Sequence, residues 1–150
     1  MKTSHDPAAL ETLTHHRWAI PIIALLEVER GAKFVRIVHR FQLSRDALTR
    51  SLSALIELGW VKRNSGYGHP LRPEYILTPS GARLGAGCAE LNQWLETNGF
   101  QEFMLNKWSL PVLLAARTES RFSDLKRALP EITARALTLT LKTLLDHELM

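Results

Sequence analysis

Apolar side chains recur at helical spacing between Arg17 and Val28, at Trp18, Ile22, Leu25 and Leu26. They predict a first helix with Pro21 in its opening turn, where a missing N–H costs little, and Gly31 as its stop. Trp18 heads the stripe and is expected in the core. A second, short helix is predicted over about Phe34 to Phe41, burying Phe34, Ile37, Val38 and Phe41. Ser44 is placed to cap the next helix, and Asp46 lies in its first turn, where the helix dipole favours a carboxylate. From there Ala47, Leu48, Leu52, Leu55 and Ile56 form an apolar stripe that runs to Gly59. Arg45, Thr49, Arg50 and Ser53 occupy the opposite face. Two helices joined only by Gln42-Leu43 read as a helix-turn-helix.

The pattern then changes. Trp60 to Arg63 and Arg72 to Leu77 flank a stretch rich in turn formers, Asn64 to Pro70, which predicts a β-hairpin centred on Gly66 and Gly68. Thr78 and Pro79 suit the cap and first position of a long helix to about Thr97, with Leu84, Cys88, Leu91 and Leu95 at helical spacing. Asn98-Gly99 closes it. A helix over Met104 to Arg117, a short one over Phe122 to Leu129 and a Thr133-capped one to about His147 follow.

The second series repeats the first. Arg17-Trp18-Ala19-Ile20-Pro21 recurs as Lys107-Trp108-Ser109-Leu110-Pro111, at an offset of 90. Phe34 and Ile37 recur as Phe122 and Leu125 at 88, and Ser44 and Leu48 as Thr133 and Leu137 at 89. Small changes of offset are what loop insertions between matched helices produce. Trp108, like Trp18, is expected in the core. Leu149 and Met150 stand where the first copy begins its hairpin, and they read like a strand opening without its partner, as in an abbreviated or truncated second copy. The expected fold is therefore mainly α with a small β-hairpin wing (α+β): a tandem winged helix-turn-helix whose second copy lacks its wing. The expected domains are residues 1–99, ending in the long helix, and residues 100–150.

Arg17-Trp18, the Phe34-x-x-Ile37 spacing, Leu58-Gly59-Trp60-Val61 and Tyr75-Ile76-Leu77-Thr78-Pro79-Ser80-Gly81 resemble the HxlR-type winged-helix transcriptional regulators of bacteria. Lys107-Trp108, Arg121 to Leu125, Leu129 to Thr133 and Leu141 to Leu144 resemble the same family again. Winged helices of the MarR and PadR types share parts of the pattern. The resemblance implies a DNA-binding regulator, more often a repressor, that acts as a dimer. No cysteine lies near the N-terminus, so the thiol sensing of some family members does not carry over.

Composition narrows the field. The chain has 150 residues, 45% of them hydrophobic and 23% charged, which suits a soluble globular protein. The single cysteine, Cys88, excludes a disulfide framework and a multi-thiolate zinc site within one chain, and its apolar stripe predicts a buried, inert thiol. The adjacent pair His15-His16 has no cysteine or carboxylate pair at ligand spacing, so no metal is expected there. No apolar run reaches membrane-spanning length, no signal-peptide core follows Met1, and a cytoplasmic location is the expectation. Neither a phosphate-binding glycine loop nor a nucleophile elbow is present, so neither an enzyme nor a cofactor is expected.

Charge placement is the sharper clue. From Arg30 to Arg72 nine basic residues face only Asp46 and Glu57, a surplus of seven in a chain whose net charge is +4. Cations around a helix-turn-helix and its wing suit double-stranded DNA, since phosphate contacts release counterions. Ser44, Arg45, Thr49, Arg50 and Ser53 are the candidates for base readout on the helix over 44–58. Arg36, Arg40, Lys62, Arg63, His69 and Arg72 are the candidates for backbone contact, the last four on the wing over 61–77. The second copy, with seven basic residues against six acidic ones from Gln101 to Met150, offers Arg135, Thr138 and Lys142. It is expected to complete a pseudo-dimer within the chain or to serve in homodimerisation. A winged helix that binds protein rather than DNA is the alternative. The sequence names no operator and no small-molecule effector.

Overall fold

The computed structural model describes residues 7–65 and 72–150, which divide into two compact units. One, the winged unit, comprises residues 18–98. The other, the short unit, joins residues 7–17 to residues 99–150. The N-terminal segment, grouped by sequence with the first domain, thus packs with the second copy. The fold is mainly helical with one small antiparallel sheet.

The winged unit is built around α2 (Ala19–Glu29), whose residues Ala19 to Leu26 are all buried. A helix that is apolar on every side must be enclosed, and α5 (Pro79–Asn98) packs along it while β2 (Tyr75–Leu77) lies against another side. The buried stripe of α5 is Gly81, Gly85, Cys88, Asn92 and Leu95; Leu84 and Leu91 of the expected stripe are half-buried. α2 is closed by Arg30, which takes the left-handed conformation with φ 60° and donates its N–H to Leu26 O. Gly31 follows with φ 110° and donates its own N–H to the same oxygen at 3.0 Å, so it takes part in the stop as expected. It also serves the packing: a Cβ there would lie 2.7 Å from Pro73 Cβ and 2.9 Å from Ile76 Cγ2.

Helices α3 (Phe34–Phe41) and α4 (Arg45–Glu57) follow the expected bounds. Ile37, Leu48 and Leu55 are fully enclosed, each contributing roughly 1.5–3 kcal/mol by burial. Phe34, Val38 and Phe41 are only half-buried, and Trp18, expected in the core, rests at its edge against Phe41 with ring centroids 5.8 Å apart. Strand β1 (Val61–Arg63) pairs antiparallel with β2, Val61 opposite Leu77 and Arg63 opposite Tyr75. Both strands are shorter than predicted. A bridge between Ala32 and Tyr75 adds a third, one-residue rung that the sequence pattern concealed.

In the short unit, α1 (Pro7–Thr14) packs on α7 (Ser109–Ala115). The helix expected over Met104–Arg117 is broken into α6 (Gln101–Met104) and α7. Pro111 explains the break, because it has no N–H with which to carry a helix through from Met104. Residues 15–18 and 105–108 make the same succession of turns, so the structural repeat begins earlier than the sequence repeat. Trp108 is also half-buried, with His15 edge-on at 6.2 Å. Helices α8 (Phe122–Ala128) and α9 (Ala134–Asp146) complete the unit around buried Leu125, Leu137 and Leu144. Leu149 and Met150 form no strand.

Candidate nucleic-acid interface

The turn between α3 and α4 is made by Gln42, which adopts the left-handed conformation with φ 52°, and Leu43, whose N–H reaches Val38 O at 3.2 Å. Ser44 then caps α4, its Oγ accepting from the Ala47 N–H at 3.1 Å. With Leu48, Leu52 and Leu55 turned inward, Ser44, Arg45, Thr49, Arg50 and Ser53 are all exposed on the far face. The Arg45 guanidinium lies over the Phe34 ring, 5.2 Å from its centroid. Thr49 Oγ1 donates to Arg45 O at 2.8 Å, so its proton is committed to its own helix. Arg50 has no ion-pair partner among the described residues. Ile56, expected on the buried stripe, is 42% exposed. It borders a groove of about 730 Å³ lined by Phe34, Arg45, Thr49 and Ser53 from the helices and by Arg63, Glu74 and Tyr75 from the hairpin.

The backbone-contact candidates behave unequally. Arg36 is paired with Glu29 at 2.6 Å, and that carboxylate's hydrogen bonds and charge hold the guanidinium above its ordinary pKa. Arg40 is paired with Glu96 of α5, which also accepts from Asn92 Nδ2 at 3.3 Å. Arg63 meets Glu74 at 3.5 Å and the Tyr75 hydroxyl at 3.2 Å. Lys62 and Arg72 are exposed and make no ion pair among the described residues. His69, with Gly66 and Gly68 at the expected wing tip, lies outside the described residues.

The carboxylates are what sequence reasoning missed. Glu29 and Glu74 fall just beyond the Arg30–Arg72 window in which the charge surplus was counted, and Glu96 is remote in sequence. Glu74 does more than neutralise Arg63, since its Oε1 also accepts the Phe34 N–H at 3.1 Å, tying the hairpin to the start of α3. An acidic residue one place before a strand pair was the available signal, and nothing local marks its partner.

The helix side of this groove recurs in the short unit, without a hairpin wall among the described residues. Phe122, Thr138, Leu141, Lys142 and Leu145 line it at the places of Phe34, Thr49, Leu52, Ser53 and Ile56. Thr133 Oγ1 caps α9 by accepting from Ala136 N at 3.0 Å, and Thr138 Oγ1 donates to Ala134 O at 2.9 Å, as Ser44 and Thr49 do in α4. Arg135, Thr138 and Lys142 are exposed. At the place of Arg50, however, stands Leu139, 54% exposed.

Cys88 is buried, and burial pushes its thiol pKa up to about 12. No group of three or more His, Cys, Asp or Glu side chains suited to a metal ion occurs among the described residues. No helix among them is long and apolar enough to cross a membrane. Neither a curated protein nor a solved structure gives a match to the chain. The profile of the HxlR-like helix-turn-helix family matches residues 13–103 and matches again over residues 103–150. With two copies of its helix-turn-helix and a capped, cation-bearing second helix in the winged unit, the chain belongs to the HxlR-like helix-turn-helix family.

Proposed function

We propose that this protein is a transcription regulator that binds double-stranded DNA through the winged unit. Helix α4 enters the major groove, with Arg45 and Arg50 as donors to guanine O6 and N7 and Ser44 and Ser53 against neighbouring edges or phosphates. Thr49, its proton already donated, offers a methyl group and lone pairs. Lys62 and Arg72 meet the adjacent backbone, together with Arg63 from its place beside Tyr75. Arg36 and Arg40, each held by a carboxylate, set the position of α3 and contribute little to phosphate binding. Occupancy of the duplex excludes competing proteins, and the outcome is repression.

The observation that carries this reading is the exposure of Arg45, Arg50 and Ser53 on one face of a capped helix whose other face is core. Family membership supports it. Selection of bound duplexes from a random pool with the full chain, followed by titration at several salt concentrations, tests it. A recovered consensus, with binding that weakens steeply as salt rises, is the expected result. Binding insensitive to salt, or no enrichment of any sequence, overturns it.

For the short unit a second reading is favoured by one observation. Leu139 stands exposed on α9 at the place where α4 carries Arg50, which supports contact with protein rather than with bases. The same selection, repeated with Arg135→Ala and Lys142→Ala, leaves the consensus unchanged if that reading holds.

A further inference from the structure

The short unit contains a cleft of about 420 Å³ between α1, α7 and the end of α8, within the roughly 300–1,000 Å³ typical of small-molecule sites. Its walls are apolar: Leu10 from α1, Pro111 and Leu114 from α7, and Leu129 just past α8. Two charged side chains share it. Glu11, half-buried on α1, uses its main-chain oxygen to accept from His15 N at 3.1 Å and from Thr14 Oγ1 at 3.0 Å, and its carboxylate has no partner among the described residues. Arg117, in the turn after α7, likewise makes no hydrogen bond or ion pair with its guanidinium among them. Opposite charges therefore line one apolar cleft without being joined to each other.

That combination selects a ligand class by elimination. A neutral apolar molecule fills the cleft but takes water from half-buried Glu11 without replacing it, which is costly, and leaves exposed Arg117 unanswered. An apolar carboxylate satisfies Arg117 and is repelled by Glu11, while an apolar amine does the reverse. A zwitterion with an apolar body answers both, its ammonium donating to Glu11 and its carboxylate accepting the planar fork of Arg117. We infer that this cleft binds a free amino acid with a large aliphatic or aromatic side chain, held between Glu11 and Arg117.

The test is calorimetric titration of the full chain, without DNA, with L-leucine and L-phenylalanine, and with 3-phenylpropionate and phenethylamine as single-charge controls. Because no duplex is present, the outcome is independent of the DNA-binding proposal. One of the amino acids is expected to bind, with each control weaker by about ten-fold or more, the loss that one charge-assisted hydrogen bond entails. Glu11→Gln and Arg117→Gln are each expected to weaken the amino acid by a similar factor. Glu11→Gln is also expected to bring phenylpropionate closer to the amino acid, a change of selectivity that a general loss of structure does not produce. No heat from either amino acid at millimolar concentration, equal binding of the controls, or affinity unchanged in both variants overturns the proposal.

Discussion

Helices α4 and α9 are two versions of one device. Both start from a hydroxyl cap, both bury a leucine at the fourth helical position, and both donate a threonine hydroxyl back into the first turn. They differ on the outer face, where Arg50 has become Leu139 and Ser53 has become Lys142, and α9 has no hairpin beside it among the described residues. The inner face sets the fold, and the two copies keep it. The outer face sets what the helix meets, and there they have diverged. A helix-turn-helix is thus a packing solution first, and its function resides in a handful of solvent-facing positions.

The largest test of this comparison removes the shared inner residue. Leu48→Ala and Leu137→Ala each delete a fully buried side chain and are expected to cost about 2–5 kcal/mol, read by thermal or denaturant unfolding. Only Leu48→Ala is expected to abolish duplex binding. On the outer face, Arg50→Ala is expected to cost about 1–3 kcal/mol of base discrimination, measured against the selected consensus and a scrambled duplex. Leu139→Ala is expected to leave that discrimination unchanged, and equal losses in the two variants would erase the distinction between the copies. The caps come next: Ser44→Ala and Thr133→Ala each lose about 1 kcal/mol of stability, with the same sign and similar size.

Smaller still is the difference between paired and unpaired cations. Lys62→Ala should lower the slope of log affinity against log salt by about one, whereas Arg36→Ala should barely change it, because Glu29 already neutralises that guanidinium. Cys88 provides a last, local check on the winged unit. Its thiol keeps its proton to about pH 12 in the native state against 9.0 ordinarily. It should resist iodoacetamide at neutral pH until the unit unfolds. Since the folded pKa is the higher one, the thiol's contribution to stability is intact below the ordinary value and is lost as pH rises towards 12.

The elements legible in the sequence were those with local causes. Phe34–Phe41 and the Ser44-capped helix follow from apolar spacing and a cap, and the duplication was visible in matched residues. The features that escaped depend on distant partners. Ile56 has an apolar side chain at a core spacing yet faces the groove. Trp18 and Trp108 begin apolar stripes but sit at helix entrances, where both are only half-buried. Arg36, Arg40 and Arg63 looked alike as cations, and only folding brings Glu29, Glu96 and Glu74 to them. Charge counted along a chain overstates the charge a surface presents when its acids arrive from elsewhere.

One joint in the winged unit has a mechanical consequence. Thr78 donates its hydroxyl to Gly59 O, accepts the Gly81 N–H at 3.0 Å, and passes its own N–H to Trp60 O at 3.0 Å. Gly81 sits so close that a Cβ would fall 2.0 Å from the same Trp60 oxygen. The end of α4, the root of the hairpin and the start of α5 are thereby riveted at a single point. A tilt of α5 about this pivot would be delivered, as through a lever, to the end of α4 and the hairpin together. Anything that grips the far end of that twenty-residue arm has leverage over both.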